Sequence, residues 1–155
     1  MPSYGECRAA DIDASPQACF DALIDYEHLP QWQGTLREVR VLERDEQGRG
    51  SVVAYVVDAR VKTVRYTLRQ IYEEPRRVGS EYLGGDFRDF AGEWRFEAIA
   101  GGRTHAELDL RIDPGRFVPR VVRTAISDAV MRRALSDLKA HVEGRGTPAR
   151  GTGAA

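Results

Sequence analysis

The sequence predicts an α+β domain in which a curved antiparallel sheet packs on one long C-terminal helix. Three observations carry this. From Thr35 to Ile112, apolar and polar residues alternate with a period of two, interrupted by short turns. Two short helical stretches precede that run. After Asp113-Pro114-Gly115 the apolar period changes to three and four and holds for about 24 residues.

Residues 4–12, YGECRAADI, predict a first strand. Ser15 followed by Pro16 predicts an N-cap with proline in the first turn, where its missing N–H costs nothing. The helix PQACFDALIDY is short, and Pro30 closes a second turn, YEHLPQW. Val39 and Val41 then alternate with Glu38, Arg40 and Glu43, and RDEQGRG is a polar turn. SVVAYVVDA is apolar on both faces, which predicts a central, well-covered strand. VKTVRYTLRQIY sets Val64, Tyr66, Leu68 and Gln70 on one face, with Arg65 and Arg69 on the other. EEPRR is a turn and VGSEYL a short strand that ends at Gly84-Gly85-Asp86. The next strand runs to about Ile99, with Arg88, Phe90, Gly92, Trp94 and Phe96 sharing a face if it starts at Arg88. AGGRT is a hairpin turn, and THAELDLRI sets Ala106, Leu108, Leu110 and Ile112 inward. Residues 117–143 predict an amphipathic helix about 36 Å long.

These elements make seven strands, with short turns that predict an antiparallel meander for the last six. The sheet has one apolar face to cover, and only the C-terminal helix is long enough to cover it. A helix about 10–12 Å wide leaves most of a seven-stranded sheet bare. A cavity between sheet and helix is therefore expected.

The chain has 155 residues, enough for one domain with a real core, and a net charge of −1 from 23 basic and 24 acidic residues. This balance predicts no nucleic-acid partner. Lys62 and Lys139 are the only lysines, so arginine supplies nearly all the positive charge. Two cysteines, Cys7 and Cys19, make no disulfide framework or zinc pattern. The start of the chain does not read as a secretory signal, and no apolar run is long enough to span a bilayer. A cytoplasmic protein is expected, with at most transient contact with a membrane. Its oligomeric state is open.

IDASPQACFDALIDYEHLPQW, then GDFRDFAGEWRFEAIAGGRTHAELDL, then a long terminal helix, resemble the START-like (SRPBCC) superfamily. Within it the chain is similar to the polyketide cyclase/dehydrase and coenzyme Q-binding-protein-like family. Ile12, Ala14 and Pro16 match the start of the family's first helix with one extra residue, Ser15. Trp32 matches the aromatic after the second helix, and Gly92, Trp94 and Phe96 match a G-x-W-x-F strand. The resemblance covers roughly residues 4–143. It implies a helix-grip fold: a START-like ligand-binding domain over residues 1–143, followed by a disordered tail over 144–155. Members bind lipids, quinones, steroids or polyketides, and some catalyse cyclisation or dehydration. The resemblance carries over no catalytic residue and implies no cofactor.

Tyr55, Tyr66, Tyr82, Phe90, Trp94 and Phe96 either pack the core or line the cavity. Trp94 and Phe96 read as floor beneath the helix, and Arg88 and Phe90 as rim. Arg88 points into the cavity mouth if strand parity holds, and into solvent if the strand starts near Phe90. Gln70 is placed to hydrogen-bond a ligand carbonyl, and Trp32 to act as a lid. Leu108, Val122 and Ile126 complete the candidate ligand-binding set. His28, His105 and His141 lack metal-ligand spacing, and the paired glycines precede strands where phosphate binding needs a helix N-terminus. Three functions follow: a carrier for a hydrophobic small molecule, a polyketide cyclase/aromatase with Tyr55, Tyr66 or Arg88 moving protons, or a protein-interaction module.

Overall fold

The computed structural model describes residues 4–58, 62–113, 115 and 120–144, with the side chains of 4–6 and 120–129 outside the description. The chain runs β1 (Tyr4–Ile12), α1 (Pro16–Ile24), a 3-10 turn at Tyr26–His28, α2 (Leu29–Trp32), β2 (Leu36–Arg44), β3 (Gly50–Asp58), β4 (Thr63–Glu73), β5 (Arg77–Gly85), β6 (Asp89–Ile99), β7 (Arg103–Asp113) and α3 (Arg120–Val142). The predicted tail lies outside the described residues from 145 onward.

All seven strands form one sheet in the order β1-β7-β6-β5-β4-β3-β2, every neighbour antiparallel. β2 to β7 are the expected meander, and β1 closes onto β7 with Tyr4 opposite Ile112 and Ile12 opposite Thr104. β3 is next to the edge strand β2, so the expectation of a central strand is corrected. Its outward Ala54 and Val56 are only half-buried. Irregular pairing in β2–β3 and between Thr67 and Leu68 in β4–β5 adds local twist and bend. At Gly85 a side chain would run into the Arg65 carbonyl and the Tyr66 backbone, so this glycine lets β5 cross directly over Tyr66.

Local signals set the helix starts. Ser15 Oγ accepts the Ala18 N–H at 3.1 Å, and Pro16 sits in the first turn of α1. α1 buries Cys19, Phe20 and Leu23 against the sheet. α3, at 23 residues about 35 Å long, crosses the inner face. Met131, Ala134, Leu135 and Leu138 form its buried face. Over its whole length the helix is not strongly one-sided, so the expected amphipathic character is corrected.

The C-terminal half of α3 is fastened at two corners. Lys139 Nζ donates to the Asp11 carbonyl at 2.8 Å and pairs with Glu143, whose carboxylate accepts the Asp13 N–H at 2.8 Å. Asp137 accepts the Gly34 N–H at 2.7 Å, and Trp32 stacks on His141 with ring centres 4.4 Å apart. The outer face carries a lattice of ion pairs, including Arg69–Glu81, Arg77–Glu93 and Arg95–Glu107 at 3.0–3.1 Å. Such exposed pairs contribute about 0–1 kcal/mol each, so the fold rests on the inner face. Leu138→Ala is expected to cost about 2–5 kcal/mol, read as a shift in a urea unfolding midpoint. A loss under about 1 kcal/mol would show that α3 is not held by this face.

Candidate functional site

Between α3 and the inner face lies a cavity of about 130 Å³. β3 contributes Tyr55 and Val57, β4 contributes Val64, Tyr66, Leu68 and Gln70, and β5 contributes Val78 and Ser80. Phe87, Phe90, Gly92 and Trp94 follow, then Leu108, Leu110 and Ile112 of β7. The helical side supplies Leu23, Tyr26, Leu29, Gln33, Val130 and Ala134. Strand parity explains the selection: β7 is buried at every second residue from Thr104 to Ile112.

Aromatic rings run across this wall in a continuous row. Tyr26 meets Tyr55 edge-on at 6.5 Å, Tyr55 stacks on Tyr66 at 5.2 Å, and Tyr66 stacks on Phe90 at 5.1 Å. Phe87 closes the row against Tyr66 and Phe90 at 5.5 and 5.9 Å.

A chain of hydrogen bonds runs beneath the rings. Ser80 Oγ donates to Gln70 Oε1 at 2.8 Å, and Gln70 Nε2 donates to the Tyr55 hydroxyl at 2.6 Å. Tyr55 and Tyr26 in turn share a hydrogen bond. The Tyr26 and Tyr72 hydroxyls lie 2.6 Å apart, and Tyr72 donates to the Gly50 carbonyl. A carbonyl can only accept. Tyr72 therefore spends its proton on Gly50, and Tyr26 donates to Tyr72. Gly50 has no side chain because a Cβ there would stand 2.9 Å from the Tyr26 ring. Burial, reinforced by the neighbouring tyrosines, pushes the Tyr26 phenol far above its ordinary value. Burial does the same at Tyr55, against its hydrogen bonds with Gln70 and Tyr26, which pull the other way. Burial alone raises Tyr66, and it pushes Tyr72 up to about 12. At neutral pH all four hydroxyls are protonated. They can donate hydrogen bonds but cannot act as bases.

Tyr55, Tyr66, Gln70, Phe90, Trp94 and Leu108 thus all stand in the cavity wall. Three expected residues do not. Arg88 lies outside it, a correction, because β6 starts at Asp89. Arg88 is 53% exposed, its N–H pairs with the Asp113 carbonyl, and its guanidinium faces the Asp113 carboxylate at 3.9 Å. Tyr82 stands behind Phe90 and donates to the Phe87 carbonyl at 2.7 Å. Trp32, expected as a lid, is committed to His141. Phe96 is buried core outside the cavity. The side chains of Val122 and Ile126 lie outside the described residues. Gly92 leaves room for the Phe90 ring of its own strand, 3.2 Å from where a Cβ would stand.

The period of two already placed Tyr72 and Ser80 inward, after Gln70 and after Val78, but no motif marked them. Tyr26 and Gln33 carried no such signal, because Tyr26 sits in the turn between two short helices and Gln33 caps the end of α2. The cysteines and histidines have structural surroundings. Burial pushes the Cys19 thiol up, outweighing its hydrogen bond with Thr104. His28 pairs with Asp25 at 2.9 Å and His105 with Asp11 at 2.7 Å.

The profile of the family described as polyketide cyclase / dehydrase and lipid transport matches residues 12–139. No curated protein matches the sequence. Among solved structures, a START superfamily protein from Mycobacterium smegmatis is similar over 90% of this chain and 97% of its own, with 18% identity and a TM-score of 0.82. The Zhui aromatase/cyclase from Streptomyces sp. R1128 is similar over 99% of both chains, with 18% identity and a TM-score of 0.77. A protein from Thermus thermophilus is similar over 96% of this chain and 99% of its own, at 21% identity and a TM-score of 0.71. Identities this low speak to the fold alone.

The tyrosine cluster makes the fold sensitive to alkali. With folded-state values above the ordinary 10.0, the folded protein holds more protons than the unfolded chain once pH exceeds 10. This contribution is complete below pH 10 and is lost as pH rises through about 12, the Tyr72 value. Tyrosinate absorbance and far-ultraviolet circular dichroism should therefore change in one step above pH 10. Buried tyrosines titrating near pH 10 with native dichroism would contradict the cluster.

Proposed function

Starting from a chain that belongs to the polyketide cyclase / dehydrase and lipid transport family, we propose that it binds a hydrophobic small molecule, such as a lipid, quinone or polyketide, between sheet and α3. The observation that carries this reading is the cavity wall, made of aliphatic and aromatic side chains with a few hydroxyl and amide groups. Such a wall takes up apolar surface at about 25 cal/mol per Å², and its few polar groups set orientation. The volume of about 130 Å³ is close to the roughly 150 Å³ that holds one benzene ring in a dry apolar cavity. A larger ligand has to extend out between α3 and the sheet.

A polyketide cyclase or aromatase is the second reading, favoured by the likeness to an aromatase/cyclase. Such an enzyme needs groups that give and take protons at the ligand. The tyrosines in the wall are held protonated. Glu93 borders the cavity, but hydrogen bonds from Arg95 and Arg77 outweigh its burial and hold its carboxyl below the usual range. These surroundings favour a carrier.

Native mass spectrometry of the purified protein is expected to show a co-purified apolar molecule, or uptake of the neutral probe N-phenyl-1-naphthylamine. Leu108→Trp places an indole into the wall. It is expected to cost about 1–3 kcal/mol in stability and to weaken probe binding roughly tenfold or more, the equivalent of about 1.4 kcal/mol. An empty protein that takes up no probe would overturn the proposal.

A further inference from the structure

Five tyrosines have described side chains, and four have committed hydroxyls. Tyr26, Tyr55 and Tyr72 belong to the chain that ends on Gly50, and Tyr82 donates to Phe87. Tyr66 is the exception. Among the described residues no group hydrogen-bonds its hydroxyl, and no charge acts on it. Yet Tyr66 lies in the middle of the aromatic row and in the cavity wall. Its ring is fixed between Tyr55 and Phe90, and its backbone is pinned beneath Gly85. It is half-buried and part of the cavity wall. An unpaired hydroxyl in apolar surroundings costs roughly 1–3 kcal/mol relative to water, and a ligand acceptor would remove that cost.

We propose that the cavity selects ligands bearing a neutral carbonyl oxygen, and that the Tyr66 hydroxyl donates the hydrogen bond that orients it. The assignment rests on the reading of the cavity as a ligand site and adds the chemistry of what enters. The wall explains why the oxygen is neutral. Among the described residues no lysine or arginine side chain lines the cavity, so a carboxylate there would lose its water without a counter-charge. A ketone, ester or quinone oxygen loses less, and one donor satisfies it. The wall then favours a carbonyl compound with a flat body that stacks in the aromatic row over a free fatty acid.

The test compares three probes of the same bicyclic body: 1-indanone, indane and 1-indanecarboxylate. Dissociation constants come from nuclear magnetic resonance titrations of the full-length protein and of Tyr66→Phe. Loss of one hydrogen bond should weaken 1-indanone roughly 3- to 10-fold in the variant, while indane stays within about twofold. The carboxylate should bind the wild-type protein more weakly than 1-indanone. A thermal melt gives a readout that needs no ligand. Tyr66→Phe should keep or raise Tm because it removes an unpaired group, while Tyr72→Phe, which breaks a hydrogen bond, should lower it. An unchanged 1-indanone to indane ratio in Tyr66→Phe, or a Tm loss as large as that of Tyr72→Phe, would overturn the role of Tyr66. A carboxylate that binds as tightly as the ketone would overturn the selection for a neutral oxygen. If neither indane nor 1-indanone binds the wild-type protein, the ligand-site reading fails and this assignment fails with it.

Discussion

One helix has to cover seven strands, and the rest of the structure follows from that mismatch. Strands about 4.8 Å apart make a sheet of this size nearly 30 Å wide, and a helix covers about 10–12 Å. Twist, bulges and the short helices α1 and α2 narrow the gap without closing it. Large side chains fill part of the remainder, and the cavity is what they leave. It falls among Val57, Val64, Phe87, Phe90 and Ile112, toward the end where β3 meets β4, β5 meets β6, and β7 leads to α3. Among the described residues α3 is fastened on β1 through Lys139 and Glu143 and on the α2–β2 corner through Asp137. One half of the helix is therefore anchored in core, while the cavity takes Val130 and Ala134 from it.

The polar groups of the wall divide into two kinds by the same logic. A hydroxyl buried in a fold must find a partner or carry a desolvation cost. Tyr26, Tyr55 and Tyr72 meet the requirement together, through a chain that starts at Ser80 and ends on a backbone carbonyl. That chain ties β3, β4 and β5 to the turn after α1, so it serves the scaffold. Tyr66 shares the row of rings, but among the described residues nothing hydrogen-bonds its hydroxyl, and the ring stands in the cavity wall.

Much of the architecture was legible because it depends on short-range chemistry. Ser15-Pro16 announced α1, Gly101-Gly102 the last hairpin, and the alternation through Ala106, Leu108, Leu110 and Ile112 the buried face of β7. Five residues of the wall, Tyr66, Gln70, Phe90, Trp94 and Leu108, came from the same alternation. Arg88 failed because parity is only as good as the first residue of the strand, and β6 begins one residue later. Trp32 failed because its partner, His141, is over a hundred residues away in sequence. Tyr26 and Gln33 were invisible because neither the turn between α1 and α2 nor the corner between α2 and β2 has a period.

By itself, then, the sequence determined the number and order of the elements, the inward faces of β4, β6 and β7, and the excess of sheet over helix that makes a cavity necessary. These are properties of repeat distance and chain geometry, and neighbouring residues set them. Only the tertiary structure decided which inward groups find each other. Whether a tyrosine hydroxyl is spent on Gly50 or on no described residue depends on how strands distant in sequence come together. That difference separates the hydroxyls that serve the scaffold from the one proposed to serve the site, because a buried donor without a partner carries a desolvation cost.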